Sequence, residues 1–275
     1  MWVLGVALLL LITCGFYYFL SRREDEASPE IWDIGGTART YTTIVGTLAA
    51  FSVTSSIFIA NLTVARQSAA FESVMALFLT AFMIFISAAM QFATTPNLAN
   101  PPGQNYRAVQ NYSYLLANAS FYQGLCLSWL GLPLLLSAVG LEYLADVFVW
   151  LVLFAILGGA MRISSSGLNL LARADYAASL SMPFVCFTAA AFYRLVLGDQ
   201  LNDLLPWEHG PALFAVVCFV VAAVGFSLQS ALVGALRRES LSTSAARLGR
   251  VVLIAFTAAV FTTSSLLWLA VKASL

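Results

Sequence analysis

Apolar runs long enough to cross a bilayer recur along the whole chain, and no other feature limits its fold so strongly. A hydrocarbon core about 30 Å thick takes about 20 consecutive, mostly apolar residues of helix to span. Runs of this kind occupy residues 2–20, 40–62, 72–95, 111–140, 142–161, 176–197, 211–236 and 251–271. Inside lipid the backbone amides must find partners within the protein, so such runs fold as helices. The breaks between them are short and polar, as at Pro96, Pro101, Pro102 and Gly103, and none is long enough to fold alone. The expected fold is therefore all-α. It is one polytopic membrane domain, residues 1–275, of about eight transmembrane helices, or seven if the first run is peripheral. Composition agrees. The chain is 61% hydrophobic and 9% charged, where a soluble domain carries about 25% charged residues.

Basic residues orient the spans. With the N-terminus outside, the inner connectors hold Arg22, Arg23, Arg39, Arg107, Arg162, Arg173, Arg237, Arg238, Arg247 and Arg250. The outer side then holds Arg66, Arg194 and Lys272. This is the asymmetry that the positive-inside rule describes. It predicts an even number of spans with both termini outside. The first run lacks a preceding basic residue and a small-residue cleavage pattern, so it reads as an uncleaved anchor. Short loops point to a bacterial inner (plasma) membrane.

Two spans carry polar stripes. At 100° per residue, Thr43, Thr47, Ala50, Thr54 and Asn61 share one face of the second run. Ser73, Ala76, Thr80, Ser87, Gln91 and Thr94 do so on the third, opposite Phe71, Phe78, Phe82, Phe85 and Phe92. The small polar residues are expected to face other helices or a cavity, and the phenylalanines acyl chains. The fourth run adds Asn118 and Gln123, with a small-residue step from Gly124 to Ser128 and a bend at Pro133. The seventh run adds Gln229. The second, third, fourth and seventh runs are thus expected to line the interior. Packing seams alone would also produce such stripes.

The middle of every span lacks charge, which disfavours a proton relay or voltage sensor. Asp146, Arg194 and Asp199 lie near the expected outer ends, where Arg194 is placed to pair with Asp146 or Asp199. Catalytic signatures such as HExxH, GxSxG, a P-loop or GxGxxG are missing. Cys14, Cys126, Cys186 and Cys218 sit one per apolar run without a CxxC, so no metal site is expected. The lone lysine, Lys272, is too near the end of the last span for a retinal Schiff base. No enzymatic activity, no cofactor and no nucleic-acid partner are expected.

These features point to a channel- or transporter-like protein. It would bind or pass a small solute or ion along a neutral path of Thr47, Thr54, Asn61, Thr80, Ser87, Gln91, Asn118, Gln123 and Gln229. Neutral oxygens and amides can replace hydration water in such a path. The alternative is a non-transporting subunit that scaffolds a complex or relays a signal through helix packing. The partners expected are the lipid bilayer and either further copies of the chain or another membrane protein.

Overall fold

The computed structural model describes residues 34–61, 69–95, 104–153, 190, 210–237 and 243–275. Five long helices dominate: α1 (Ile34–Asn61), α2 (Ala69–Thr94), α3 (Gln104–Ala138), α5 (Gly210–Arg237) and α6 (Thr243–Ser274). A further helical segment, α4, covers residues 142–153. All five long helices are long and apolar enough to cross a membrane, which marks the chain as an integral membrane protein. The expected spans 2–20 and 176–197 (but for residue 190), the end of the fifth beyond residue 153, and Arg194 and Asp199 lie outside the described residues.

Three helices start well before their apolar runs. α1 includes Gly35 and Gly36, α3 begins directly after Gly103, and α6 begins at Thr243, eight residues before the hydrophobic run. No proline or glycine separates Gln104 from the apolar part of α3, so helical hydrogen bonding continues into the polar residues. α3 also runs unbroken through Pro133. It ends at Gly140, whose φ of 81° admits glycine readily. There the Gly140 amide donates to the Ser137 carbonyl and the Leu141 amide to the Leu136 carbonyl, both at 2.9 Å. This paired closure satisfies carbonyls that the helix end would otherwise orphan.

The helices alternate in direction. Phe78 meets Gly131 and Phe85 meets Gly124, so α2 runs antiparallel to α3. Tyr41 meets Tyr114 and Ser52 meets Ser128, so α1 is parallel to α3. Gln123 reaches Thr263 and Tyr122 packs on Phe261, so α6 is also parallel to α3. Gln229 of α5 reaches Ser113 near the start of α3, while Cys218 lies beside Gln123, so α5 is antiparallel. By helix position, Arg39, Arg107, Arg237, Arg247 and Arg250 fall at one end of this bundle and Lys272 at the other.

The centre is not where the stripes place it. α3 has 72% of its apolar window buried and α6 has 61%, against 28% each for α1 and α5. The eighth expected span is therefore central, and the second and seventh are peripheral. The phenylalanine face of α2 is likewise turned inward. Phe78, Phe85 and Phe92 are all buried, while Met83, Ile86 and Met90 are exposed. The reason is volume. Gly131 and Gly124 open notches on α3 seven residues apart, and Phe78 and Phe85, also seven apart, fill them. Phe92 continues the row against Tyr41, Tyr114 and Phe121 at centroid distances of 5.2–6.5 Å. Dispersion drives helix association in lipid, and a ring in a glycine notch gains more contact than a hydroxyl against a methyl.

Candidate polar site

Where α2 ends beside α3 and α5, a group of neutral side chains meets below the protein surface. Gln91 and Thr95 of the α2 end, Ser113 of α3 and Gln229 of α5 are all buried. The Gln91 main-chain carbonyl is the hub. It accepts from Thr94 Oγ1 and Thr95 Oγ1 at 2.9 Å each and from Gln229 Nε2 at 3.0 Å. Gln229 Nε2 also donates to Ser113 Oγ, and to Thr94 Oγ1 at 3.3 Å. The hydroxyls of Thr95 and Ser113 lie 3.4 Å apart. The last turn of α2 supplies the acceptor because its terminal carbonyls have no further helix to bond.

The side chain of Gln91 differs from its neighbours. It is fully buried, and neither its Nε2 nor its Oε1 has a protein partner. A buried carboxamide without partners loses its hydration with no return, about 1–3 kcal/mol for each unmet group. Gln229 also forms part of the wall of a groove of about 230 Å³, lined with Thr94, Phe226, Ser230, Val233 and Gly234. That is room for about seven water molecules, at about 30 Å³ each, or for a small solute.

A second polar group lies deeper, between α3 and α6. Gln123 Nε2 donates to Thr263 Oγ1 at 3.1 Å, and Thr263 Oγ1 donates to the Ala259 carbonyl at 2.8 Å. Gln123, Ser120 and Ser264 are completely buried. Among the described residues one side-chain hydrogen bond joins α1 to α3, between the Ser52 and Ser128 hydroxyls at 3.4 Å.

The residues expected to form one path are thus not gathered in one place. Gln91 and Gln229 come together, as just described. Gln123 belongs to the deeper group, and Asn118 is buried in α3. Thr80 and Ser87 are half-buried on α2. Thr47, Thr54 and Asn61 are exposed on α1 and do not face the bundle interior. Each of these three bonds its own helix: Thr47 to the Thr43 carbonyl at 3.0 Å, Thr54 to Ala50 at 2.8 Å and Asn61 to Ile57 at 3.0 Å. A side chain that returns to the carbonyl one turn back needs no interhelical partner, so its polarity does not pull it inward.

Asp146 also has a partner other than the one expected. It pairs with Lys272, which joins α4 to the end of α6. The indole of Trp268 supports the same contact, donating to the Val149 carbonyl at 3.1 Å and packing edge-on against Trp150. Sequence reasoning did not single out Ser113, Thr95 or Thr263 for a site. The signal was present in part: Ser113, Ser120 and Gln123 follow at seven and three residues, one face of α3.

No protein-family model matches the chain, and no curated protein or solved structure matches it.

Proposed function

We propose that this is a channel- or transporter-like membrane protein that takes a small neutral solute at the groove beside Gln229 and Gln91. The observation that carries this reading is a groove walled by Gln229, whose Nε2 bonds the main-chain carbonyl of Gln91, a residue whose own buried carboxamide has no partner. An amide offers one acceptor and two donors. A solute with both kinds of group, such as an amide or a polyol, complements it. The absence of charge from the middle of the described spans favours neutral cargo over a coupled proton. No chemical step is assigned. The arginine-bearing end is the cytoplasmic one in this reading, with both termini outside and the chain in a bacterial inner membrane.

The test uses the chain in proteoliposomes, with urea and glycerol uptake followed by light scattering after rapid mixing. Gly234 provides the decisive variant, because a Cβ added there meets nothing within 4 Å. Gly234→Leu therefore places a side chain in the groove from a position with room for its Cβ. Uptake above that of empty liposomes, lost in Gly234→Leu with an unchanged elution profile, is the expected result. Uptake equal to empty liposomes, or unaffected by Gly234→Leu, removes the transport reading.

One observation favours the alternative of a non-transporting subunit. Thr43, Gly46, Thr47, Ala50 and Thr54 form an exposed face of small residues on α1. Such faces let backbones approach closely in lipid. Under this reading Gly46→Trp lowers the oligomeric mass measured by light scattering in detergent and leaves solute uptake unaffected.

A further inference from the structure

The groove beside Gln229 follows α5 from Phe226 to Gly234, with Thr94 of α2 on its other side. Eight steps of 1.5 Å make it about 12 Å long, more than urea or glycerol requires. It opens outward. Thr94, Phe226 and Ser230 are exposed, and Gln229 is the buried member of its lining. The groove also straddles one end of the apolar spans, which close at Thr94 on α2 and at Ala231 on α5. At that level the acyl chains of a bilayer give way to its polar headgroup region. The lining is amphipathic and holds no charged side chain. All three hydrogen bonds of the Gln229 side chain leave from Nε2. Its Oε1 is thus an acceptor without a protein partner among the described residues, on a side chain that is 3% exposed. Past Phe226 the surface turns wholly apolar. Met90, Ile86 and Met83 follow Thr94 on α2, and Phe219 follows Phe226 on α5, all exposed. Steps of three, four and seven residues keep each row on one helix face.

We infer that the ligand of this groove is a neutral membrane lipid, such as a monoacylglycerol or a fatty amide, which enters sideways from the bilayer. Its uncharged head donates a hydroxyl or amide hydrogen to Gln229 Oε1, and its tail lies over Phe226 and Met90. A charged head fits less well, because the lining offers it no opposite charge. The tail by itself gains little, since neighbouring acyl chains are as apolar as these side chains. Selectivity therefore lies in the head. The inference rests on the groove being the ligand site, as proposed above, and names the class of its ligand: a polyol or amide head on an acyl chain.

The test is photolabelling of the full-length protein in phosphatidylcholine nanodiscs. The probe is a monoacylglycerol with a diazirine in mid-chain, and mass spectrometry maps the labelled residues. Labelling should saturate and centre on residues 83–94 and 219–226. Monoolein should compete with it. Methyl oleate, which has the same chain and can accept but not donate a hydrogen bond, should not. Gly234→Leu should lower the labelling several-fold. Ser230→Leu is a second variant with the same expected result, at an exposed position whose hydroxyl bonds only its own helix. Labelling that does not saturate and is as dense at Leu213 and Val216, toward the other end of α5, marks surrounding bulk lipid and overturns the inference. Labelling unchanged in both variants, or equal competition by methyl oleate, overturns it as well. Competition by glycerol as strong as that by monoolein makes the groove a site for a water-borne polyol, which overturns this inference and leaves the transport reading standing. Absence of urea and glycerol uptake with labelling intact removes the transport reading and leaves this one.

Discussion

Gly124→Ala places a methyl group where α2 and α3 touch. The new Cβ would stand 2.7 Å from Phe85 Cε1 and 2.8 Å from Cδ1. Carbon atoms pack best at about 3.5–4.0 Å, so the ring must give way by most of an ångström. It has little space to do so. Phe85 is fully buried, with Phe121 packed against it at a centroid distance of 6.1 Å. The backbones must therefore part, which also lifts Phe78 from Gly131. Overpacking of this kind costs about 1–3 kcal/mol. Exchanging glycine for alanine in a helix returns about 0.5–1 kcal/mol. The net is a loss of up to about 2.5 kcal/mol. Gly46→Ala is the matched control, because a Cβ there meets nothing within 4 Å. It keeps only the helical gain, so the same chemical change should stabilise the protein by about 0.5–1 kcal/mol. Reversible unfolding in mixed micelles with increasing SDS, followed by tryptophan fluorescence, measures both. Adding Phe85→Leu to Gly124→Ala should restore part of the loss, a coupling that a double-mutant cycle isolates. If Gly124→Ala is as stable as Gly46→Ala, the ring-in-notch account of the seam is wrong.

The same titration separates the two faces of α1. Ser52→Leu, at a fully buried position touching Ser128, should cost about 1–3 kcal/mol, whereas Thr54→Leu, exposed two residues on, should stay within about 0.5 kcal/mol. The Lys272–Asp146 pair is open to solvent on the aspartate side, at 46% exposure. Lys272→Met should therefore cost only about 0.2–1 kcal/mol, and exchanging the two charges should recover most of it at low salt.

The number and direction of the described helices were legible because membrane spans are dictated by length and apolarity, and both are written in the residues. Which way each helix faces was much less so. In water an apolar residue goes inward and a polar one outward. In lipid that rule loses its force, since acyl chains are as apolar as phenylalanine. Thr47 and Thr54 show the other half of the difficulty. Each hydroxyl is satisfied by its own helix, so polarity carries no information about burial. What decided the faces was fit between volumes, Phe78 and Phe85 against Gly131 and Gly124, and this appears only when two distant segments are compared in antiparallel register. Gln91, Gln123 and Gln229 were recognisable as residues that a membrane interior does not tolerate idly. Their separation into two groups was not, because it depends on α6 being central, and α6 is no more apolar than its neighbours.

The two occupied notches also determine which parts of the bundle can slide. One ring in one hollow permits rotation about the contact, but two at heptad spacing hold both the angle and the height of α2 on α3. A shift along the seam brings a ring over a glycine again only after seven residues, about 10 Å at 1.5 Å per residue. Phe78 would then rest on Gly124, and Phe85 would be left facing Ala117 with no hollow to enter. There is thus one seated position and no second stop. α2 and α3 thus form a frame of fixed register within the bundle.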